Sequence, residues 1–298
     1  MLNILKSIII GIIEGITEWL PVSSTGHMIL VDELIKLDVS RDFMDMFLVV
    51  VQLGAILAVV ILFWNKLWPF HSKKKQVEPF FKPQGDKRLS VFKEFCNNYV
   101  FVDRFILWFK ILLASVPAAI LGLLFDDAID EMLTGDNRAF VVAAALIVYG
   151  VLFIIIEKLN TKQNVDDLGV LSYKTALFIG MIQCLALVPG TSRSGSTILG
   201  AMLLGLTRTA AAEFSFFLSV PAMVGGSGIK VLQYFADGNT FTSGEVAILL
   251  VGMVTAFIVS ILAIKFLLSF IRKHDFKIFG VYRILLGIAV IIYFVFKP

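Results

Sequence analysis

Long apolar runs separated by short polar stretches dominate this chain. Uncharged runs occur at Met46–Trp64, Ala139–Ile156, Phe214–Ile229 and Val246–Ile264. Each approaches the ~20 residues that an α-helix needs to cross a bilayer. Phe105–Phe125, interrupted by Lys110, and Phe276–Phe296, interrupted by Lys277 and Arg283, read as two further spans. Two other segments are apolar at both ends but broken in the middle by Pro, Gly, Ser and Thr. Laid 169 residues apart, Gly11–Leu30 (GIIEGITEWLPVSSTGHMIL) matches Gly180–Leu199 (GMIQCLALVPGTSRSGSTIL) without a gap. Gly11, Ile13, Ser23, Gly26, Ile29 and Leu30 recur as Gly180, Ile182, Ser192, Gly195, Ile198 and Leu199, and Thr25 becomes Ser194. At the same offset Phe47 faces Phe216 and Val51 faces Val220.

Irregular backbone at membrane depth is tolerated only where protein buries it or water reaches it. The two broken segments, about 4–34 and 173–206, are therefore expected to be re-entrant helical hairpins. Each precedes three spans, an odd number, so the two halves have opposite orientation. The expected fold is an all-α integral membrane protein: one membrane domain made of two inverted repeats, about 1–160 and 170–298, whose broken helix tips meet near the bilayer centre.

Composition agrees, with 58% hydrophobic and 16% charged residues and a mean hydropathy of +0.88. The net charge of +3 decides little, but its distribution orients the chain. Lys66, Lys73, Lys74, Lys75, Lys82, Lys87, Arg88 and Lys93 face only Glu78 and Asp86 between Lys66 and Lys93, which places that loop in the cytoplasm. Alternation then puts Asp126, Asp127, Asp130, Glu131 and Asp136 outside, 160–170 inside, 236–243 outside and 272–277 inside. The basic cluster has little aromatic interleaving and adjoins a span, so no nucleic-acid partner is expected. Met1–Ile13 runs into Glu14 without a small-residue cleavage site, and no removable signal peptide is expected. Cys96 and Cys184 have neither metal-site nor disulfide spacing.

The charged positions do not recur between the repeats, which suggests one site assembled from two half-sites. Glu14 and Glu18 lie on one helix face, where two carboxylates at membrane depth ask for a cation, a shared proton or a catalytic role. The bland alternative is that they face bulk water on an interfacial helix, or pair with Lys6 or Arg208. His27 follows the hydroxyl-rich turn Ser23-Ser24-Thr25-Gly26 and could move a proton. In Pro189–Thr197, Gly190 and Gly195 let backbone approach a ligand, while Thr191, Ser192, Ser194 and Ser196 supply hydroxyls. Arg193 adds a planar fork suited to phosphate, and the following helix start offers free N–H groups. These groups fit phosphate or pyrophosphate on a lipid. Gly225, Gly226 and Gly228 are expected to let helices pack closely, and Trp64, Trp68 and Trp108 to anchor at an interface.

EGITEWLPVSSTGH at Glu14–His27 and PGTSRSGST at Pro189–Thr197 resemble the two signatures of the bacitracin-resistance-type undecaprenyl pyrophosphate phosphatases, and length and spans agree over essentially the whole chain. The resemblance implies removal of the terminal phosphate of undecaprenyl pyrophosphate in the bacterial cytoplasmic membrane, at a site open to the outer face. That reaction regenerates the carrier lipid for cell-wall synthesis. A divalent cation, Mg2+ or Ca2+, is implied, with Glu14 and Glu18 as its ligands. Glu14, Glu18, Ser24, His27 and Arg193 match the family's catalytic residues, with Ser24 or a water as nucleophile. Ser23, Thr25, Gly26, Thr191, Ser192, Ser194, Gly195 and Ser196 would line the substrate. A homodimer is left open. The rival readings are a lipid-phosphate transporter using the same inverted-repeat site, and an intramembrane serine hydrolase of peptides, which gives no reason for Arg193 or the paired acids.

Overall fold

The computed structural model describes residues 2–72, 91–125, 132, 135, 137–159 and 163–296, and every regular element among them is a helix. In chain order these are α1 (Leu2–Thr17), α2 (Ser24–Leu34), α3 (Arg41–Leu62), α4 (Trp64–Leu67), α5 (Val91–Tyr99), α6 (Val102–Leu124), α7 (Arg138–Lys158), α8 (Tyr173–Gln183), a 3-10 turn (Cys184–Leu187), α9 (Arg193–Leu203), α10 (Arg208–Ala236), α11 (Ser243–Ile271) and α12 (Lys277–Phe296). The six helices α3, α6, α7, α10, α11 and α12 are long and apolar enough to cross a membrane. Each carries all or nearly all of one of the expected apolar runs. The short helices α4 and α5 were not legible as apolar periodicity, because α4 is a single turn and α5 lies beside the basic segment. The lysines at 73, 74, 75, 82 and 87, with Arg88, Glu78 and Asp86, lie outside the described residues, as do all five acids of 126–136.

Polar caps start three of the six spans. Ser40, Thr207 and Thr242 accept from the amides of Phe43, Ala210 and Glu245, and Glu245 returns the bond to Thr242 as a capping box. Such caps satisfy amide groups that a helix start leaves without partners.

The packing has an exchange pattern. Helix α1 lies on α11, and α8 lies on α6; α3 touches α11, and α10 touches α6; α3 crosses α10, and α7 crosses α12. Close crossings need missing side chains. A Cβ on Gly11 would fall 2.7 Å from the Gly252 carbonyl oxygen, and one on its repeat partner Gly180 would strike the Ala114 carbonyl. At the α7–α12 crossing, Gly150 and Gly280 face each other, each Cβ position within 2.7 Å of the other's carbonyl oxygen. Gly150→Leu should separate these helices and destabilise the protein by about 3 kcal/mol or prevent folding, which thermal unfolding of detergent-solubilised protein would detect. A midpoint within a degree or two of wild type would contradict this packing.

Gly225, Gly226 and Gly228 do not behave as expected. A Cβ on any of them would meet nothing within 4 Å, because this part of α10 turns its small face away from the neighbouring helices.

Loops sort to two ends of the bundle. At one end Lys66 binds Glu213 at 2.6 Å. There Arg208 grips both oxygens of Glu157 at 2.9 and 2.7 Å, and Glu157 also accepts from the Phe276 amide at 2.9 Å. At the other end Asn3 meets Asp38, the Lys6 ammonium binds the Lys36 carbonyl, and Asn239 reaches Asp42. Lys6 and Arg208 are thus occupied elsewhere, and neither partners Glu14 or Glu18.

Candidate functional site

The two breaks are built alike. Ser23 caps α2 with its hydroxyl on the Gly26 amide at 3.3 Å, and Ser192 caps α9 with its hydroxyl on the Gly195 amide at 3.1 Å. Their φ angles are 74° and 72°, the only positive values outside glycine among the described residues. Such a conformation costs a serine about 1–3 kcal/mol, so both turns are held against that cost by their caps and by surrounding contacts. Gly190, at φ 90°, lets the second break approach α7, where a Cβ would fall 2.6 Å from the Val142 carbonyl oxygen. The first helical residues after the two caps are Ser24 and Arg193, which therefore occupy matching positions on two helix N-termini. A cap satisfies one of the amides that each helix start leaves free; the others are available to an anion.

Glu18, just past the end of α1, joins the halves. Its Oε1 accepts from Arg193 Nη2 at 2.9 Å and Nε at 3.3 Å. Its Oε2 accepts from the Ser24 hydroxyl at 3.4 Å. Arg193 also donates through Nη1 to the Ser215 carbonyl on α10 at 2.8 Å and lies 6.0 Å from the centre of the Trp19 ring. The side chains of this pair are 7% and 14% exposed, so their attraction is little screened by water.

Glu14 sits one turn before Glu18 and is 2% exposed, with Oε1 buried and lacking any partner among the described residues. An orphaned carboxylate oxygen beside a second carboxylate suits a hard divalent cation. No group of three His, Cys, Asp or Glu among the described residues could complete a cation site, so remaining ligands would come from phosphate and water.

His27 lies one turn into α2. Its Nδ1 is 2.7 Å from the Ser23 carbonyl, which only an N–H can satisfy, leaving Nε2 to accept from the Tyr282 hydroxyl at 2.7 Å. The Tyr282 ring stacks on it at 9°. Both ring nitrogens are thus engaged away from Ser24, and the group bonded to the Ser24 hydroxyl is Glu18.

The remaining expected residues are distributed as follows. Ser194 Oγ lies 3.2 Å from Ser192 Oγ and 3.4 Å from the Leu20 carbonyl. Ser196 donates to the Ser192 carbonyl at 3.1 Å. Thr191 is buried, and Thr25 half-buried, beside these turns. Gly26 and Gly195 pack against Leu146 and the Arg283 guanidinium. Ser23, Ser192 and Ser196 therefore use their hydroxyls within the loops.

Sequence reasoning missed Tyr282 and Arg283. Arg283 on α12 is fully buried. Its Nη1 donates to the Pro21 carbonyl at 3.3 Å, and its Nη2 to the carbonyls of Gly190 and Thr191 at 2.9 Å each. One guanidinium thus ties both breaks together. An arginine interrupting an apolar run was the available signal; its partners, far away in sequence, were not.

These groups can hold a phosphate-bearing ligand against a cation, two helix starts and a hydroxyl poised on a carboxylate. Comparison with known proteins points the same way. The family model described as "Bacitracin resistance protein BacA" matches residues 7–289. An Enterococcus faecalis protein named undecaprenyl-diphosphatase is 53% identical over 98% of this chain and 97% of its own length. The Acetivibrio thermocellus protein of that name is 50% identical over 99% and 98%, and undecaprenyl-diphosphatase 1 of Clostridioides difficile is 51% identical over 99% and 97%.

Proposed function

The chain belongs to the bacitracin resistance protein BacA family and is a phosphatase of undecaprenyl diphosphate; on that premise we propose how its residues remove the terminal phosphate. The observation that carries the proposal is the double engagement of Glu18 by Arg193 and Ser24.

Before substrate arrives, Arg193 neutralises Glu18. A diphosphate entering between the helix starts offers Arg193 a planar, doubly bonded partner of higher charge. As Arg193 turns to phosphate, Glu18 is released from its ion pair and becomes free to accept a proton. Ser24 Oγ then attacks the terminal phosphorus in line, passing its proton to Glu18 Oε2, while the bond to the bridging oxygen breaks and undecaprenyl phosphate leaves. Water subsequently cleaves the Ser24 phosphoester, giving orthophosphate and restoring the hydroxyl. The amides at the starts of α2 and α9 stabilise charge on the equatorial oxygens. His27, fixed by Ser23, serves the hydrolytic half by orienting that water once Nε2 gives up its bond to Tyr282. A divalent cation held by Glu14 and Glu18 would supply further neutralisation of the transferring group. Arg283 positions the breaks.

The membrane arrangement belongs to the same proposal. The exchange pattern of helix contacts supports an inverted-topology repeat. The meeting of Asn3 with Asp38, and of Val165 with Leu206, supports two re-entrant hairpins with mouths at opposite ends. By the charge rule the end bearing Lys66 and Lys277 is cytoplasmic, so the first hairpin and the His27 rim open to the outer face of the bacterial cytoplasmic membrane. The transporter reading would give no orthophosphate from protein in detergent.

Arg193→Lys tests the clamp. A lysine keeps the charge but loses the fork, so phosphate release from undecaprenyl diphosphate should fall about tenfold to a hundredfold, with KM raised and the protein still folded. Unchanged kinetics would remove Arg193 from the binding step.

A further inference from the structure

We propose a second lipid-binding site, for a lipid with an anionic phosphate headgroup, at the lysine-bearing end of the bundle and separate from the Glu18 centre. It consists of two adjoining cavities. The first, about 490 Å³, is lined by Asn65, His71 and Arg104 together with the rings of Trp64, Trp68 and Phe101. The second, about 360 Å³, shares Trp64 and Trp68 and is otherwise lined by Val60, Leu67, Pro69, Phe105 and Trp108. The first sets its polar groups among aromatic rings and the second is almost wholly apolar, and both belong to the end of α3, to α4, to the segment after it and to the start of α6.

The polar cavity is made for an anion. The Arg104 guanidinium carbon lies over the Phe101 ring, 3.7 Å from its centre, and the group spends Nη1 on the Trp68 carbonyl at 2.8 Å. Its fork retains further N–H donors. His71 points Nδ1 at the Ser72 carbonyl at 2.8 Å, and its buried Nε2 has no partner among the described residues. That nitrogen is a second polar contact for a bound headgroup, beside the Arg104 fork. No acidic residue is among the described residues lining either cavity.

The apolar cavity decides that the anion carries a tail. It continues from the stacked Trp64 and Trp68 rings, 4.5 Å apart, along faces of α3 and α6 that enter the membrane-spanning part. Trp108 is turned away from polar company by its own bond to the Leu67 carbonyl at 2.7 Å. A headgroup at Arg104 and His71 would therefore place an acyl chain against Trp108, Phe105 and Val60. Basic pockets beside membrane helices favour anionic lipids in this way. A free phosphate would leave the apolar cavity unused.

The test titrates purified full-length protein in detergent with phosphatidylglycerol, phosphatidylcholine or inorganic phosphate, following tryptophan fluorescence and the thermal midpoint. Phosphatidylglycerol should bind and raise the midpoint, the other two far less. Arg104→Gln and Trp68→Leu should each weaken phosphatidylglycerol binding about tenfold or more, while orthophosphate release in detergent stays at wild-type level and certifies the fold. Equal effects of phosphatidylcholine and phosphatidylglycerol would overturn the anionic headgroup. Competition by inorganic phosphate at comparable concentration would overturn the tail. Undiminished binding by both variants would overturn the site.

Discussion

Glu18→Gln should abolish nearly all phosphate release while leaving the protein folded. The substitution keeps the size of the side chain and one carbonyl oxygen, so Arg193 retains a partner at the position where Oε1 lies 2.9 Å away. What disappears is the charge that makes Arg193 wait beside Ser24, and the acceptor bonded to the Ser24 hydroxyl among the described residues. Loss of a positioned base costs about 10²–10⁴ in rate, and loss of a possible cation ligand acts in the same direction. A kcat reduced by about a thousandfold or more, with an unchanged thermal midpoint, is the expected result in an orthophosphate assay. The double variant with Arg193→Lys should lose far less than the product of the two single losses, because residues acting as one unit are not additive. Full additivity would mean that the two residues work apart, and the proposed handover from Glu18 to phosphate would fail.

Ser24→Ala should be comparably severe. If Oγ attacks phosphorus, no other described group occupies the N-terminal position of α2 opposite Arg193, and a drop of about 10⁶ is expected from the behaviour of other serine nucleophiles. Acid quenching of wild-type protein during turnover, followed by mass spectrometry, should find phosphate on the peptide containing Ser24. Activity of Ser24→Ala within tenfold of wild type would instead make water the attacking group and leave Ser24 as a donor to the substrate.

The fold was legible where its cause is local. Apolar length marks every span, and the Pro/Gly/Ser/Thr interruptions mark both helix breaks, because a membrane tolerates neither short spans nor free backbone except at special places. Recurrence of Ser23 as Ser192 foretold a common turn, although not that both would sit at positive φ. The identity of the ion pair was only half legible. Sequence brought Glu14, Glu18 and Arg193 to one region, but their spacing could not say that Arg193 would choose Glu18 while Glu14 stays unpaired. Arg283 and Tyr282 were illegible as site neighbours, since their contacts depend on how α12 crosses α7, a matter of Gly150 meeting Gly280. The glycines at 225, 226 and 228 misled because composition resembles a packing motif whether or not a helix lies opposite.

Arg283 also fixes when this machine can come into being. Glu18 and Ser24 are made early, Arg193 midway, and the guanidinium that ties their two turns together arrives only with α12. A nascent chain halted before that helix holds the acid, the hydroxyl and the arginine, yet nothing bridges the Pro21 and Gly190 carbonyls. The tie between the two turns therefore forms only after every group it holds in place has been made.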